Sequence, residues 1–264
     1  MGALGAHHPD VKRLRVLLRD ASQRRASGRV VLEGPRVLLA ALERGARVPC
    51  VYVGVDARPQ ARAAADAATE RGAQVCALAA GAADRIADVR TSSGVLAIAE
   101  RPTVDADAVL TTATFVLVAE RVNDPGNLGT LVRAAEAAGA EAMIVGQGSV
   151  DPYNPKVVRA SAGAIFGIPI VELRGDTAVV LEQLASRGVR RLGAAAHGGQ
   201  ALDAARLDGA VAIVVGHETQ GLGDLPLDGL VTIPMAGAAE SLNVAMAGTV
   251  LLFEAARRRR EATP

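Results

Sequence analysis

The chain has 264 residues, half of them hydrophobic, enough for one large domain or two smaller ones. With no Trp, three Phe and two Tyr, the core falls to Val, Leu, Ile and Ala, and single-strand recognition by base stacking has few candidates. The net charge of +1 excludes a uniformly basic surface, so any phosphate-binding face must be local.

The opening stretch MGALGAHHPDVKRL has no apolar run of signal-peptide length, and no stretch reaches eighteen unbroken apolar residues, so the chain reads as cytoplasmic. Residues 10–20 have a helical pattern. Around them Lys12, Arg13, Arg15, Arg19, Arg24, Arg25, Arg29 and Arg36 stand against Asp20 and Glu33. That density fits a phosphate-contacting surface as well as it fits a solvated helix face. Val30–Leu32 is a short strand, and Gly34-Pro35 opens a helix running to about Arg44. Val51–Val55 is a strand, Ala61–Arg71 an Ala-rich helix, Gln74–Ala77 a strand, and Gly94–Ala99 a further strand ending at Glu100-Arg101-Pro102. Cys50 and Cys76 lie in apolar strand contexts without His at ligand spacing and read as buried free thiols. Segment 102–113, PTVDADAVLTTA, is polar and breaks the pattern, which places the domain boundary there, with residues 1–105 before it and 106–264 after it.

A second α/β series begins at Phe115. Its strands are Phe115–Ala119, Ala142–Val145, Ile170–Leu173, Arg191–Ala196, Val211–Val215 and Val231–Pro234, with helical patterns between most of them and a final long helix from Ser241 to about Arg258. Strands separated by helices imply a mainly parallel sheet, whose ligands sit on loops at the strands' carboxyl ends. The closing Arg257-Arg258-Arg259-Arg260 suits the carboxyl end of a helix and reads as solvated surface.

Three loops carry polar residues worth weighing. In Asn123-Asp124-Pro125-Gly126-Asn127-Leu128, Asn127 is placed to cap the following helix. Leu128, Leu131, Val132 and Ala135 form the buried stripe of that helix, and Arg133 falls off it. A surface pairing of Arg133 with Glu136 is the plain alternative. Gly216-His217-Glu218-Thr219-Gln220-Gly221-Leu222 follows an apolar strand and is by itself a weak signal, with His217 read as a turn residue. In Ile233-Pro234-Met235-Ala236-Gly237-Ala238-Ala239-Glu240-Ser241-Leu242-Asn243-Val244-Ala245, Ser241 is a plausible N-cap. Asn243 stands in the first turn of an almost wholly apolar helix, where an unpartnered buried amide costs about 1–3 kcal/mol and so needs a defined partner.

Taken together and in this order, the three loops resemble the motifs of the SpoU/TrmH family of RNA ribose 2′-O-methyltransferases, within the SPOUT superfamily. The stretch from Asp151 to Ala164 resembles the family's link between the first and second motifs. The first hundred residues, with Glu33-Gly-Pro-Arg36 and Ser93-Gly-Val-Leu-Ala-Ile-Ala99, are similar to the L30e-like substrate-binding domain that many members carry in front.

The resemblance implies an α/β fold: a C-terminal domain with a mainly parallel sheet threaded into a trefoil knot, preceded by a smaller L30e-like α/β domain. It implies S-adenosyl-L-methionine as cofactor, a homodimer, no metal, and RNA, most of all 23S ribosomal RNA, as substrate. The target site could include one whose methylation confers antibiotic resistance. A cofactor with no phosphate accounts for the missing GxGxxG turn. Residue by residue, Ala195, Ala196, His197, Gly216, Ile233, Met235, Leu242 and Asn243 would hold the cofactor. Arg133 would be the catalytic residue, as stabiliser of the developing alkoxide rather than as base, because an arginine resists deprotonation. Asn127 and Asn243 would fix the arginine and the cofactor, and Glu218 and Ser241 would support the motif loops. Arg13, Arg24, Arg25, Arg36, Lys156 and Arg159 would contact the RNA backbone. A tRNA 2′-O-methyltransferase and a non-catalytic RNA-binding or ribosome-assembly protein of the same fold are the competing readings. An oxidoreductase with a nucleotide cofactor fails on the missing phosphate loop.

Overall fold

The computed structural model describes residues 3–87, 93–217 and 220–262. Two compact units emerge. The first comprises residues up to 103 together with Tyr153–Gly167, and the second Val104–Pro152 with residues from Ile168 onward. A cut near residue 105 would leave segment 153–167 in the second unit.

In chain order the first unit runs α1 (Pro9–Arg19), α2 (Ala21–Ser27), β1 (Arg29–Glu33), α3 (Pro35–Glu43), β2 (Cys50–Gly54), α4 (Pro59–Glu70), β3 (Gln74–Leu78), α5 (Ala82–Ile86) and β4 (Val95–Glu100). The strands order as β1-β4-β2-β3, antiparallel except for the parallel β2–β3 pair. Residues 10–20 end a helix where expected, but a second one follows at once. Asp20 leaves the helical region, and its carboxylate accepts from the N–H groups of Ser22 at 2.8 Å and Gln23 at 3.2 Å. That cap starts α2, a helix whose sequence ASQRRAS has no apolar stripe to announce it. Leu14, Leu17 and Leu18 of α1 pack with Tyr52, Leu96 and Ile98 of the sheet. Cys50 and Cys76 are free and half-buried rather than fully buried. Burial pushes the Cys50 thiol up to about 11, away from reactive thiolate chemistry.

The excursion 153–167 contributes α8 (Pro155–Ala160) and a single 3₁₀ turn at Ala164–Phe166. Arg159 donates to Glu33 at 2.7 Å, the Arg101 guanidinium lies 4.3 Å from the centre of the buried Tyr153 ring, and a Cβ at Gly163 would lie 2.6 Å from Ala40 Cβ. A charge pair, a cation–π contact and a glycine-only approach thus tie the segment to the first unit.

The second unit begins with α6 (Ala106–Thr112), a short helix inside the polar segment, capped by Asp105 and buried through Leu110. It continues through β5 (Phe115–Ala119), α7 (Pro125–Ala138), β6 (Ala142–Val145), β7 (Ile170–Glu172), α9 (Thr177–Ser186), β8 (Arg190–Ala194), β9 (Gln200–Ala201), β10 (Val211–Val215), β11 (Gly229–Thr232) and α10 (Val244–Ala262). The seven strands order as β7-β6-β5-β10-β8-β11-β9, and every pair is parallel. All residues of β5, β6 and β10 are buried, which is why they read as unbroken apolar runs. Helix α10 crosses α7 closely at Gly248, where a Cβ would lie 2.5 Å from Leu131 Cδ2.

The C-terminal arginines are not merely solvated. Arg258 donates to the carbonyls of Ala205 at 2.6 Å, Leu202 at 3.0 Å and Asp203 at 2.9 Å. Arg259 lies over the Phe115 ring at 5.1 Å and donates to Thr114 Oγ1 and the Gly209 carbonyl. These side chains satisfy loop carbonyls and fasten α10 to the sheet. No helix among the described residues is long and apolar enough to cross a membrane.

Candidate active site

A cavity of about 660 Å³ opens at the carboxyl ends of β8, β10 and β11, where a parallel sheet places its ligands. Ala195 and Ala196 come from the loop after β8, Gly216 and Gly221–Gly223 from the loop after β10, and Ile233 and Met235 from the loop after β11. Glu240–Val244, Ala247 and Leu251 complete the wall from the start of α10. Seven of the eight expected cofactor residues therefore line one cavity, and His197 does not. His197 is exposed beyond the β8 loop, one residue past the last alanine that faces inward.

Backbone approach shapes the cavity. At Gly216 a Cβ would lie 2.5 Å from the Gly221 carbonyl oxygen, so only glycine lets the loop fold back on itself. Gly221 donates its N–H to the His217 carbonyl at 2.9 Å, and the His217 ring Nδ1 accepts from the Gln220 N–H. Glu218 lies outside the described residues. Arg191 grips Asp228 with bonds of 2.9 and 2.6 Å and adds its backbone N–H at 2.8 Å, tying the approach to β11 against β8. The Arg191 hydrogen bonds hold the Asp228 carboxyl below its usual range.

Sequence reasoning left His217 in the turn without a role; it lines the cavity. It also missed the floor of Leu222, Leu227 and Leu230. The apolar residues Leu222, Leu225, Leu227 and Leu230, spaced two or three apart in a Gly- and Asp-rich segment, were the available signal. Leu222 and Leu227 sit so tightly against Gly193 that a Cβ there would be 2.4 and 2.7 Å from their methyls. Among the described lining residues only His217 and Glu240 carry ionisable side chains. Ser241 and Asn243 add neutral polar side chains, and the rest is apolar side chain and backbone, of the size and character that suits a largely neutral, nucleoside-sized ligand.

Beside the cavity, Asn127 and Asn243 meet. Asn127 does not cap α7; Asp124 does, accepting from the Asn127 N–H at 2.7 Å, with Pro125 opening the helix. This leaves the Asn127 side chain to accept from Asn243 Nδ2 at 3.0 Å. Asn243 Oδ1 in turn accepts from the N–H groups of Ala245 at 2.9 Å and Met246 at 3.4 Å, so Asn243, rather than Ser241, caps α10. Asn243 is exposed, not buried, because the helix starts one residue after it. Ser241 is exposed on the cavity rim.

Leu128, Leu131, Val132 and Ala135 of α7 are completely buried, and Arg133 projects from the opposite, exposed side. It makes no ion pair with Glu136 and no hydrogen bond to another described residue, and it is not part of the cavity wall.

Of the residues expected to touch RNA, Arg13, Arg25, Arg36 and Lys156 are exposed. Two others are committed elsewhere. Arg24 is buried and donates to the Leu17 carbonyl at 2.7 Å, closing the end of α1. Arg159 serves the buried carboxylate of Glu33. Both guanidiniums have defined acceptors within the fold. Among the described residues no group of three or more His, Cys, Asp or Glu converges as a metal site.

Comparison with known proteins follows the same division. Residues 114–253 match the SpoU rRNA Methylase family, and residues 8–97 match an MRM3-like substrate binding domain. The chain is 30% identical over 239 residues to the 23S rRNA (guanosine(2553)-2′-O)-methyltransferase RlmP of Bacillus subtilis, covering 89% of this chain and 92% of that one. It is 34% identical over 173 residues to the 23S rRNA (uridine(2479)-2′-O)-methyltransferase of Streptomyces viridochromogenes, covering 62% of this chain and 60% of that one. Among solved structures, the SpoU methyltransferase AviRb from Streptomyces viridochromogenes in complex with AdoMet superposes with a TM-score of 0.81 at 27% identity, covering 97% of this chain and all of that one. AdoMet-bound rRNA methyltransferase from Sinorhizobium meliloti superposes equally well, at 28% identity over 100% and 99% of the two chains.

Proposed function

This chain belongs to the SpoU rRNA methylase family, and on that premise we propose that it transfers a methyl group from S-adenosyl-L-methionine to a ribose 2′-hydroxyl of 23S ribosomal RNA. The observation that carries the reading is the cavity: apolar, lined by backbone, built from three loops at strand carboxyl ends, with a glycine-only approach at Gly216. The similarity to methyltransferases named for 23S rRNA favours that substrate over tRNA. Arg133 and the hydrogen-bonded Asn127–Asn243 pair are all present, which favours an enzyme over a non-catalytic binding protein.

Bound in this cavity, S-adenosyl-L-methionine supplies an electrophilic methyl on a sulfonium. The residues of this chain do the rest. Ala195, Ala196, Ile233, Met235 and Leu242 exclude water from a neutral base, and the folded-back Gly216 loop presents backbone to it. Asn243 holds the start of α10 and, through Asn127, the start of α7. Arg133, two turns into α7 and with its charge uncommitted, faces the incoming RNA. A ribose hydroxyl is a weak nucleophile, so it must be positioned and its developing negative charge met by a fixed cation. Arg133 is assigned that role, with contact to the adjacent phosphate. Glu218 and Ser241 are assigned to support of the motif loops.

The N-terminal residues, through about 105, grip the RNA by the exposed Arg13, Arg25 and Arg36, with Lys156 from the later segment that joins that unit. The working form is a cytoplasmic homodimer. Met246, Val250 and Phe253 recur at helical spacing on α10 and are 61, 38 and 46% exposed, an apolar stripe next to Asn243 that a second copy would cover.

Mapping ribose methylation on total RNA from cells with and without the protein tests the proposal. One lost 2′-O-methyl mark in 23S rRNA is the expected result. A lost mark on a base, or marks lost only from tRNA, would overturn it.

A further inference from the structure

Among the described residues only two non-glycine positions have positive φ: Ala162, and Arg121 at +54°. Arg121 stands two residues past the end of β5, where the chain leaves the sheet for the loop carrying Asn123–Asn127. Glycine takes this conformation without penalty, whereas a side chain there costs about 1 kcal/mol. An arginine at such a point therefore invites the question of what its side chain does.

Its surroundings answer. The Arg121 stem crosses Gly148, where a Cβ would lie 3.1 Å from Arg121 Cγ. Its head rests on Gly223, where a Cβ would lie 3.2 Å from Arg121 Nη2. Gly223 belongs to the loop after β10 and its other side lines the cavity. Behind the head, Arg121 Nε lies 3.5 Å from Glu120 Oε1 and is buried without a hydrogen-bond partner among the described residues. Glu120 is itself buried and held in place, its Oε2 accepting from Thr177 Oγ1 at 2.6 Å. Gly146 makes room for that bond, since a Cβ there would be 2.1 Å from Glu120 Oε2.

We propose that Arg121 is a positioning residue for the cofactor. Anchored by the buried Glu120, its guanidinium braces the outer side of the Gly221–Gly223 turn, so that the inner side stays closed on the cavity. The strained backbone aims it there. The inference rests on the assignment of this cavity to S-adenosyl-L-methionine. It adds a residue that lies outside the cavity wall and acts through the loop rather than by touching the cofactor.

The test compares wild type, Arg121→Gly and Arg121→Ala by calorimetry with S-adenosylhomocysteine and by thermal unfolding without ligand. Glycine relieves the backbone strain while removing the brace. Relief of strain offsets the loss of the long Glu120 contact, which carries no hydrogen bond, so the expected result is an Arg121→Gly protein about as heat-stable as wild type that binds S-adenosylhomocysteine about tenfold more weakly, the scale of one charge-assisted contact. Arg121→Ala is expected to bind as weakly as the glycine variant and to unfold at lower temperature, because it keeps the strain. Wild-type affinity in Arg121→Gly would overturn the inference. A ligand-free Arg121→Gly that loses stability in step with affinity would overturn it as well, by making Arg121 an ordinary structural residue. Absence of binding by the wild type would instead overturn the cofactor assignment, and this inference with it.

Discussion

Asn243 Nδ2 donates to Asn127 Oδ1 at 3.0 Å, joining the cap of α10 to the first turn of α7 across 116 positions of sequence. The orientation of the Asn243 amide is set by its other end, where Oδ1 accepts two backbone N–H groups of α10. One side chain thus caps one helix and holds the other.

This relationship makes a double-mutant cycle informative. Asn243→Ala loses a helix cap and the link, and is expected to destabilise the protein by about 1–2 kcal/mol in urea unfolding. Asn127→Ala loses the link but leaves the cap of α10 in place, and should cost less. The coupling between them is expected to be about 0.5–1 kcal/mol. Strict additivity would show that the amide bond does not hold in solution.

Arg133 makes no hydrogen bond to another described residue, and its exposure predicts a clean separation of effects. Arg133→Ala should leave the melting temperature and S-adenosylhomocysteine binding unchanged and lower methyl transfer by about a hundredfold or more. Full transfer by this variant would remove the residue from the mechanism.

At Gly216 the issue is space. A methyl group there would sit 2.5 Å from the Gly221 carbonyl oxygen and 2.8 Å from Leu222 Cδ2. Gly216→Ala must push the turn into the cavity or unfold it, so calorimetry should register a loss of S-adenosylhomocysteine affinity of more than about tenfold. Unchanged affinity would mean the loop does not close on the ligand.

Arg159 was expected to contact RNA, and its ion pair with Glu33 changes that expectation. The Glu33 side chain is only 4% exposed, so Arg159→Ala leaves a buried carboxylate without this partner and should cost about 3 kcal/mol in denaturant unfolding. Arg36→Ala, at an exposed position, should instead weaken RNA binding and leave stability within about 0.5 kcal/mol. Reversal of the two phenotypes would restore Arg159 to the RNA surface.

Acid stability has a local source in α10. Hydrogen bonds from Arg257, and then from Arg258, hold the Glu254 carboxyl at about 2, below its ordinary 4.5. A depressed carboxyl contributes stability that is complete above its unfolded value and is lost as pH falls from about 4.5 through about 2. Glu254→Gln should therefore lower the melting temperature at neutral pH and flatten its decline over that acid range. An unaltered acid profile would show that the pair contributes nothing measurable.

Much was readable in the chain alone because the physics involved is local or periodic. β5, β6 and β10 announced themselves by unbroken apolar runs, since a strand buried on both faces needs no polar side. The stripe of α7 and the exposure of Arg133 followed from helical spacing. The order of three motifs named the family, and with it most of the cavity wall.

Tertiary structure decided what depends on contacts between distant residues. Which side chain caps a helix turned on where the helix begins: Asp124 rather than Asn127 precedes α7, and Asn243 rather than Ser241 precedes α10. Arginines that composition treats alike were sorted by burial, with Arg24, Arg159, Arg258 and Arg259 spent on carbonyls and carboxylates inside the fold while Arg13, Arg25 and Arg36 stayed outside. The membership of segment 153–167 in the first unit and the placement of Arg121 against Gly223 left no periodic signal at all. Both arise from close approach between residues far apart in the chain, and a sequence pattern records only the spacing of neighbours.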